Sequence, residues 1–366
     1  MFELKKISVV FLMLLIPCFC STLMAQKTEF FVGTYTSEGG SKGIQQYDFE
    51  PTTGKSIFRK TINMENPSFL ARRGEALYAV NENYEGKVTA VDLRRGKVLG
   101  LLPTQGAHPC HVALSPIQPV LVVSNYTGGS LTLFSLKEDG GLDKQEDFIQ
   151  FTGYSINKER QSASHIHSAF FSADGSRLFV SDLGADLIYI YQIVEKDSGF
   201  GFHRVDSIRT KKGGGPRHVV VADGGRCIYS VLELTGELEV FQQKNGNWES
   251  TQILPIYKKE FIGEHGGADI KMSSDGKFVY ATNRGDANVV ACYQVLRDKN
   301  LRLKSVIPTG GNSPRNLNIS EDGKWVFVTN QISNEITVFE RNTKTGKLRP
   351  DQGSPIETSK PVCLIF

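Results

Sequence analysis

The residue types best suited to chemistry cluster around one interval of this 366-residue chain: Gly214-Gly215-Pro216-Arg217-His218 and, sixteen positions after Arg217, Glu233. Such a set is the material of acid–base chemistry, with a carboxylate or imidazole to move a proton and a cation to hold developing negative charge. Between Arg217 and Glu233 lie an apolar run from Val219 to Val221, a turn at Asp223-Gly224-Gly225 and a second apolar run from Cys227 to Leu232. Two short β-rich runs split by a glycine-rich turn predict an antiparallel hairpin. The start of its first strand and the end of its second lie at the same end. Arg217 and Glu233 are therefore expected to be neighbours in space.

The elements that must position this pair recur along the chain. Asn66-Pro67-Ser68 leads to Leu77–Glu82, His108-Pro109-Cys110-His111 to Leu121–Tyr126, and His165-Ile166-His167 to Leu178–Leu183. Gly266-Gly267-Ala268 leads to Val279–Arg284, and Ser313-Pro314-Arg315 to Val326–Gln331, at a spacing close to fifty residues. A last anchor, Lys360–Phe366, ends the chain, and its missing second strand stands at the other end as Phe30–Tyr35. Seven four-stranded repeats, one assembled from both termini, predict an all-β fold: a seven-bladed β-propeller closed by pairing of the N- and C-terminal strands in one blade.

The repeat locates the chemistry by counting. The residue before each inner strand gives Ser68, Cys110, His167, Arg217, Ala268, Arg315 and Val362; the next position gives Phe69, His111, Ser168, His218, Asp269, Asn316 and Cys363. The ends of the second strands give Tyr35, Glu82, Tyr126, Leu183, Glu233, Arg284 and Gln331. All of these are expected to face one mouth of the central channel, where so many charged groups mark a site. The preceding ring, Thr34, Asn81, Asn125, Asp182, Leu232, Asn283 and Asn330, is polar in every blade but one and reads as a repeated hydrogen-bonding device. Residues that break the sevenfold pattern are the better candidates, and His167, Arg217, Glu233 and Arg284 do so from three consecutive blades. The longest irregular connection, about Asp147 to Ser164, carries Tyr154, Lys158, Glu159 and Arg160 directly into an inner strand and is a candidate for part of the site, although one loop of this size is also ordinary variation.

Residues 1–25 read differently. Two early lysines, an apolar run from Ile7 to Cys20 and Met24-Ala25-Gln26 form an expected signal peptide cleaved after Ala25, too short for a membrane span, leaving 26–366 as one propeller domain exported to the periplasm or beyond. Cys18 and Cys20 fit a lipoprotein poorly, with Pro17 and Phe19 before them. A net charge of +3 points to neither nucleic acid nor an anionic membrane surface. Cys110, Cys227, Cys292 and Cys363 form no CxxC pair and are read as small core residues. His108, His111, His165 and His167 lack a carboxylate or cysteine at ligand spacing, so neither metal nor other cofactor is expected. The sequence leaves the oligomeric state open.

Several segments together carry a family resemblance: HPCH at 108–111, HIHS at 165–168, DLGAD at 182–186, GPRH at 215–218, ExxG at 233–236 and NRG at 283–285. Over essentially the whole chain after residue 25, these resemble the seven-bladed propeller lactonases, the family of bacterial 6-phosphogluconolactonase and fungal carboxy-cis,cis-muconate lactonising enzyme. The resemblance implies that His167, Arg217, Glu233 and Arg284 occupy the family's catalytic positions and that a small lactone or anionic sugar acid is the ligand. His111, His165, His218, Asp269 and Arg315 are then the expected substrate-binding neighbours. Leu232 departs from the polar residue the family often places before the glutamate.

Opening a lactone needs a base for water, a cation for the carbonyl oxygen and a proton for the departing ring oxygen. Glu233 is the expected base, Arg217 and Arg284 the cations, His167 the proton donor. Because a carboxylate between arginines is a weak base, His167 as base with Glu233 orienting it stands beside that assignment. Lactonising cyclisation of a muconate-like diacid and a non-catalytic binding propeller are the alternatives. An export signal also sits uneasily with a phosphorylated cytoplasmic substrate.

Overall fold

The structure, a computed structural model, describes residues 1–2, 28–37 and 40–366, so the expected leader lies almost entirely outside the described residues. From residue 28 onward the chain builds seven antiparallel sheets. Blade 1 takes its innermost strand from Pro361–Ile365 and the rest from Thr28–Thr34, Gly43–Glu50 and Lys55–Asn63. Phe31 pairs with Ile365 and Val32 with Leu364, so the ring is closed by its two ends. Blades 2 to 7 begin with inner strands Leu70–Arg73, Pro109–Leu114, Ile166–Phe171, Pro216–Ala222, His265–Met272 and Pro314–Ile319, and each continues outward in chain order. In blade 7 the outermost strand comes in two pieces, Leu348–Pro350 and Ile356–Glu357.

Among the described residues, the buried apolar side chains fall into seven clusters, one at each junction between adjacent blades. The junction of blades 7 and 1 joins Phe30, Phe49 and Leu364 to Phe327, all fully buried or nearly so. Each such side chain contributes roughly 1.5–3 kcal/mol by leaving water. A blade thus has no core of its own, and its stability is shared with both neighbours.

The repeated polar ring does what its repetition suggests. Asn81 Nδ2 donates to Glu65 O, Asp182 Oδ1 accepts from the His165 amide, and Asn283 Oδ1 accepts from the Gly266 amide, tying these second strands to the segment entering their own blade. One boundary differs from expectation. Asp147–Gln150 belong to the outermost strand of blade 3, Leu142–Gln150, because Phe148 and Ile149 pair with Thr132 and Leu131. The irregular connection is therefore 151–165.

Candidate active site

Glu233 is fixed by its backbone before its side chain acts. Its amide donates to Gly215 O at 2.8 Å, and its carbonyl accepts from the Gly267 amide of blade 6 at 2.9 Å. Both approaches need glycine. Gly215 has φ +66°, and a Cβ at Gly267 would stand 2.5 Å from Leu232 O. The hairpin expected from sequence brings Arg217 Nε to 3.1 Å from Glu233 Oε2. Arg284 Nη2 reaches the same oxygen at 3.0 Å, and His167 Nε2 stands 3.8 Å from it. The quartet from blades 4, 5 and 6 is thus one cluster.

A fifth member comes from the 151–165 connection. Arg160 Nη2 donates to the other carboxylate oxygen, Oε1, at 2.6 Å, and to Tyr126 Oη at 3.2 Å. Asn157 Oδ1 accepts from the Glu159 and Arg160 amides, while buried Gln161 donates to Leu183 O and Asp186 Oδ1. Asp186, the last residue of the DLGAD run, also accepts from Ser155 Oγ and from the Gly213 and Gly215 amides. One buried carboxylate therefore fixes both the connection carrying Arg160 and the glycine turn leading to Arg217. No spacing in the sequence flags Arg160, because a segment without strand register cannot be placed by counting.

These groups line a pocket of about 400 Å³ at the channel mouth, bounded by Glu82, Cys110, Tyr126, Arg160, His167, Glu233, His265, Gly266, Arg284, Gly285, Ser313 and Arg315. Opposite Glu233, Arg315 Nη2 donates to Tyr35 Oη at 3.0 Å and Tyr35 donates in turn to Glu82 Oε2 at 2.9 Å. Burial raises the Tyr35 phenol, which keeps it a donor. A larger cavity, about 900 Å³, lies between the outer strands of blade 1 and segment 351–359, and among the described residues no histidine or arginine lines it.

The structure relocates several expected residues. Arg217 is not on the pocket wall: it sits behind Glu233 with its side chain 3% exposed, Nη1 donating to Ala268 O at 2.6 Å. It positions the carboxylate, and Arg284 of the quartet faces the cavity together with Arg160 and Arg315. His111, His218 and Asp269 do not line the mouth either. In blades 3 to 7 the strand ladder shifts register across the start of the inner strand, leaving the first of the two positions out of the pairing, and the second residue lies below the first. There the rings of His111, Phe69, Phe170 and His167 surround His218 at 5.4–5.7 Å and form a floor. His218 Nδ1 lies 2.7 Å from Asp269 Oδ1, and Asp269 Oδ2 accepts from Asn316 Nδ2 and the Leu317 amide. Below the floor, His111 and Asn316 line a separate cavity of about 370 Å³ on the opposite face. His165 stacks on Tyr126 and meets its carbonyl at 3.1 Å, so it backs a wall residue. Arg315 lines the pocket as expected.

Electrostatics sort the roles further. Burial raises the Glu233 carboxyl, but Arg284, Arg217 and Arg160 outweigh it and bring it down to about 2. Burial, Arg217, His218, Arg315 and Arg284 all push His167 well below its ordinary value, so its imidazole is neutral near pH 7. A neutral imidazole is a poor proton donor, which goes against the donor role expected for it. Among the described residues, no group of three or more His, Cys, Asp or Glu is arranged to hold a metal ion, and no helix is long and apolar enough to cross a membrane.

Residues 29–366 match the family profile described as "Lactonase, 7-bladed beta-propeller". The chain is 34% identical over 332 residues to a 6-phosphogluconolactonase of Formosa agariphila, covering 87% of this chain and 94% of that one. A Bacteroides fragilis structure described as a candidate 6-phosphogluconolactonase is 33% identical and superposes with a TM-score of 0.85, over 94% of this chain and 99% of the other. The periplasmic gluconolactonase of Pseudomonas aeruginosa is 30% identical with a TM-score of 0.78, over 92% and 98%. These relatives support a lactone-hydrolysing activity on a small molecule. With blade count, chain closure and full-length similarity in agreement, this chain belongs to the seven-bladed β-propeller lactonases.

Proposed function

We propose that the protein opens a sugar 1,5-lactone to the aldonic acid, as 6-phosphogluconolactone or an unphosphorylated analogue. The observation that carries this reading is a buried carboxylate facing a mouth pocket with arginines on both sides, Glu233 between Arg284 and Arg160. Water placed against Glu233 Oε1 gives up its proton as its oxygen attacks the lactone carbonyl carbon. The tetrahedral oxyanion gathers on Arg284, with Arg217 keeping the carboxylate in place from behind. When the ring C–O bond breaks, the proton passes from Glu233 to the departing ring oxygen, and the carboxylic acid then ionises. Neutral His167 suits the acceptor side of this chemistry, as a neighbour of the attacking water.

The leader at 1–25 supports export, as does similarity to a protein described as a periplasmic gluconolactonase. Native protein beginning at Gln26 is the expected result of N-terminal sequencing, and a chain still beginning at Met1 overturns export. Activity is tested by assaying residues 26–366 against sugar lactones and muconates. Turnover of at least one sugar lactone above the spontaneous rate is expected. Turnover of muconates alone would replace hydrolysis by cyclisation, and no turnover at all would leave a binding propeller.

A further inference from the structure

The two oxygens of Glu233 are held in different ways. Oε2 is shared by Arg217 and Arg284, whose side chains are 3% and 15% exposed and which also donate to Ala268 O and Gly266 O. Those guanidinium groups are fixed by the blades. Among the described residues Oε1 meets only Arg160, whose side chain is 45% exposed and reaches in from the 151–165 connection. A carboxylate oxygen keeps a second lone pair for water, but a charge-assisted hydrogen bond from a guanidinium makes it a weaker base. If Glu233 acts as a base it acts through Oε1, the oxygen with fewer partners, and it is a stronger base once Arg160 lets go.

We propose that Arg160 is a clamp on Glu233 that the substrate itself displaces, and that the displacing group is a second acidic group, phosphate or carboxylate, carried by the lactone. The proposal rests on the lactonase reading above. Charge balance points the same way. Arg160, Arg284 and Arg315 line the mouth and Arg217 lies behind Glu233, while among the described lining residues the carboxylates are Glu233 and Glu82, an excess of positive charge that a neutral lactone leaves uncompensated. Arg160 is the one of the four whose guanidinium is half exposed and free of any backbone carbonyl partner, so it is the one able to turn toward an incoming anion. Once it turns, Glu233 faces Arg217, Arg284, Arg315, His167, Tyr126 and Cys110, one cation fewer, and Oε1 opens to the pocket. The base is thereby uncovered only when the correct substrate is seated.

Three lactones distinguish the sources of the anion: gluconolactone with no second acid, 6-phosphogluconolactone with a phosphate, and a glucaric acid monolactone with a carboxylate. Each is assayed on the wild type and on Arg160→Gln. The wild type is expected to favour at least one acidic lactone by tenfold or more in kcat/KM. Arg160→Gln is expected to lose that preference, its kcat/KM falling at least tenfold further on the acidic lactone than on gluconolactone. A fall by the same factor on all three lactones overturns the clamp, as does a wild type with no acidic preference. Inorganic phosphate gives an arm independent of turnover: calorimetry is expected to show binding to the wild type that weakens at least tenfold in Arg160→Gln. Should the wild type turn over no lactone, the functional reading fails, and this titration still decides the clamp, since equal or absent phosphate binding in the two proteins overturns it.

Discussion

Glu233 and Asp269 are buried carboxylates one blade apart, both surrounded by cationic or donor groups, and they serve opposite ends. Asp269 is fully enclosed. His218 Nδ1 and Lys271 Nζ reach Oδ1, while Asn316 Nδ2, the Leu317 amide and Lys271 reach Oδ2. Its partners come from blades 5, 6 and 7, so it staples three inner strands. Glu233 looks into an open pocket, and one of its oxygens depends on a side chain from an irregular connection. In both, burial raises the carboxyl and the partners more than reverse it, so the protonation state alone does not tell them apart. What separates a site from a staple is an oxygen whose partner can be exchanged.

The largest effect is expected at the staple. Asp269→Ala strands His218, the Asn316 amide group and the Leu317 N–H without acceptors in the middle of the ring. Removing one side of such a buried network costs roughly 3–5 kcal/mol. Urea denaturation measures it, and a loss below about 1 kcal/mol would show that the floor does not hold the blades together.

Next comes the site. Glu233→Gln keeps the shape and one acceptor oxygen but removes the base, and turnover of any lactone the wild type hydrolyses is expected to fall roughly 10²-fold or more. Its folding stability should drop less than that of Asp269→Ala, because Arg160 and Arg284 reach the pocket and can find water or counterions. Undiminished turnover in this variant would move the base elsewhere, with His167 the first place to look.

Much of this contrast was open to reading in the sequence, and the part that was not has a physical cause. The blades are legible because apolar runs of strand length recur with turns at Asp174-Gly175, Asp275-Gly276 and Asp322-Gly323. The Arg217–Glu233 contact is legible because a hairpin fixes which residues share an end. Mouth and floor are not separable by counting, since His167 and Ser168, or Arg217 and His218, are consecutive, and only the slip in the ladder sets them at different depths. Arg160 is legible as one of four residues on a long connection, but its contact with Glu233 is not, for a different reason. Its position is set by Gln161 and Ser155 bonding to Asp186, contacts made across 25 and 31 residues with no periodicity to announce them.

Acidification tests both carboxylates together with the histidines of the floor. His111 and His167 are pushed well below 6.5, and His218 to about 3, in each case by burial first and then by neighbouring positive charge. The unfolded chain takes up protons at the ordinary values while the folded chain does not, so stability rises with pH wherever the unfolded state binds more protons. Stability should therefore be fully present near neutrality and fall below pH 6.5 as the unfolded histidines charge. It should fall more steeply below about 4.5, where Glu233 stays ionised down to about 2 only in the fold. Thermal midpoints measured from pH 7 to pH 4 check this, and a flat profile would mean that these histidines are charged in the folded protein.

The smallest effect is expected where the pattern is most regular. Asn330 closes the second strand of blade 7, and its Nδ2 donates to Thr337 Oγ1 at 2.8 Å on the neighbouring strand. It belongs to the ring that five of the other six blades fill with Thr34, Asn81, Asn125, Asp182 and Asn283, and it touches none of the groups on Glu233. Asn330→Ala removes one neutral hydrogen bond from a buried strand end, worth about 1 kcal/mol. It should lower the unfolding midpoint slightly and leave kcat/KM within about twofold of the wild type, since no pocket residue loses a partner. If turnover instead fell as far as in Glu233→Gln while the protein stayed folded, the division between repeated scaffold residues and pattern-breaking site residues would not hold, and the repeated polar ring would have to be counted as part of the reacting wall.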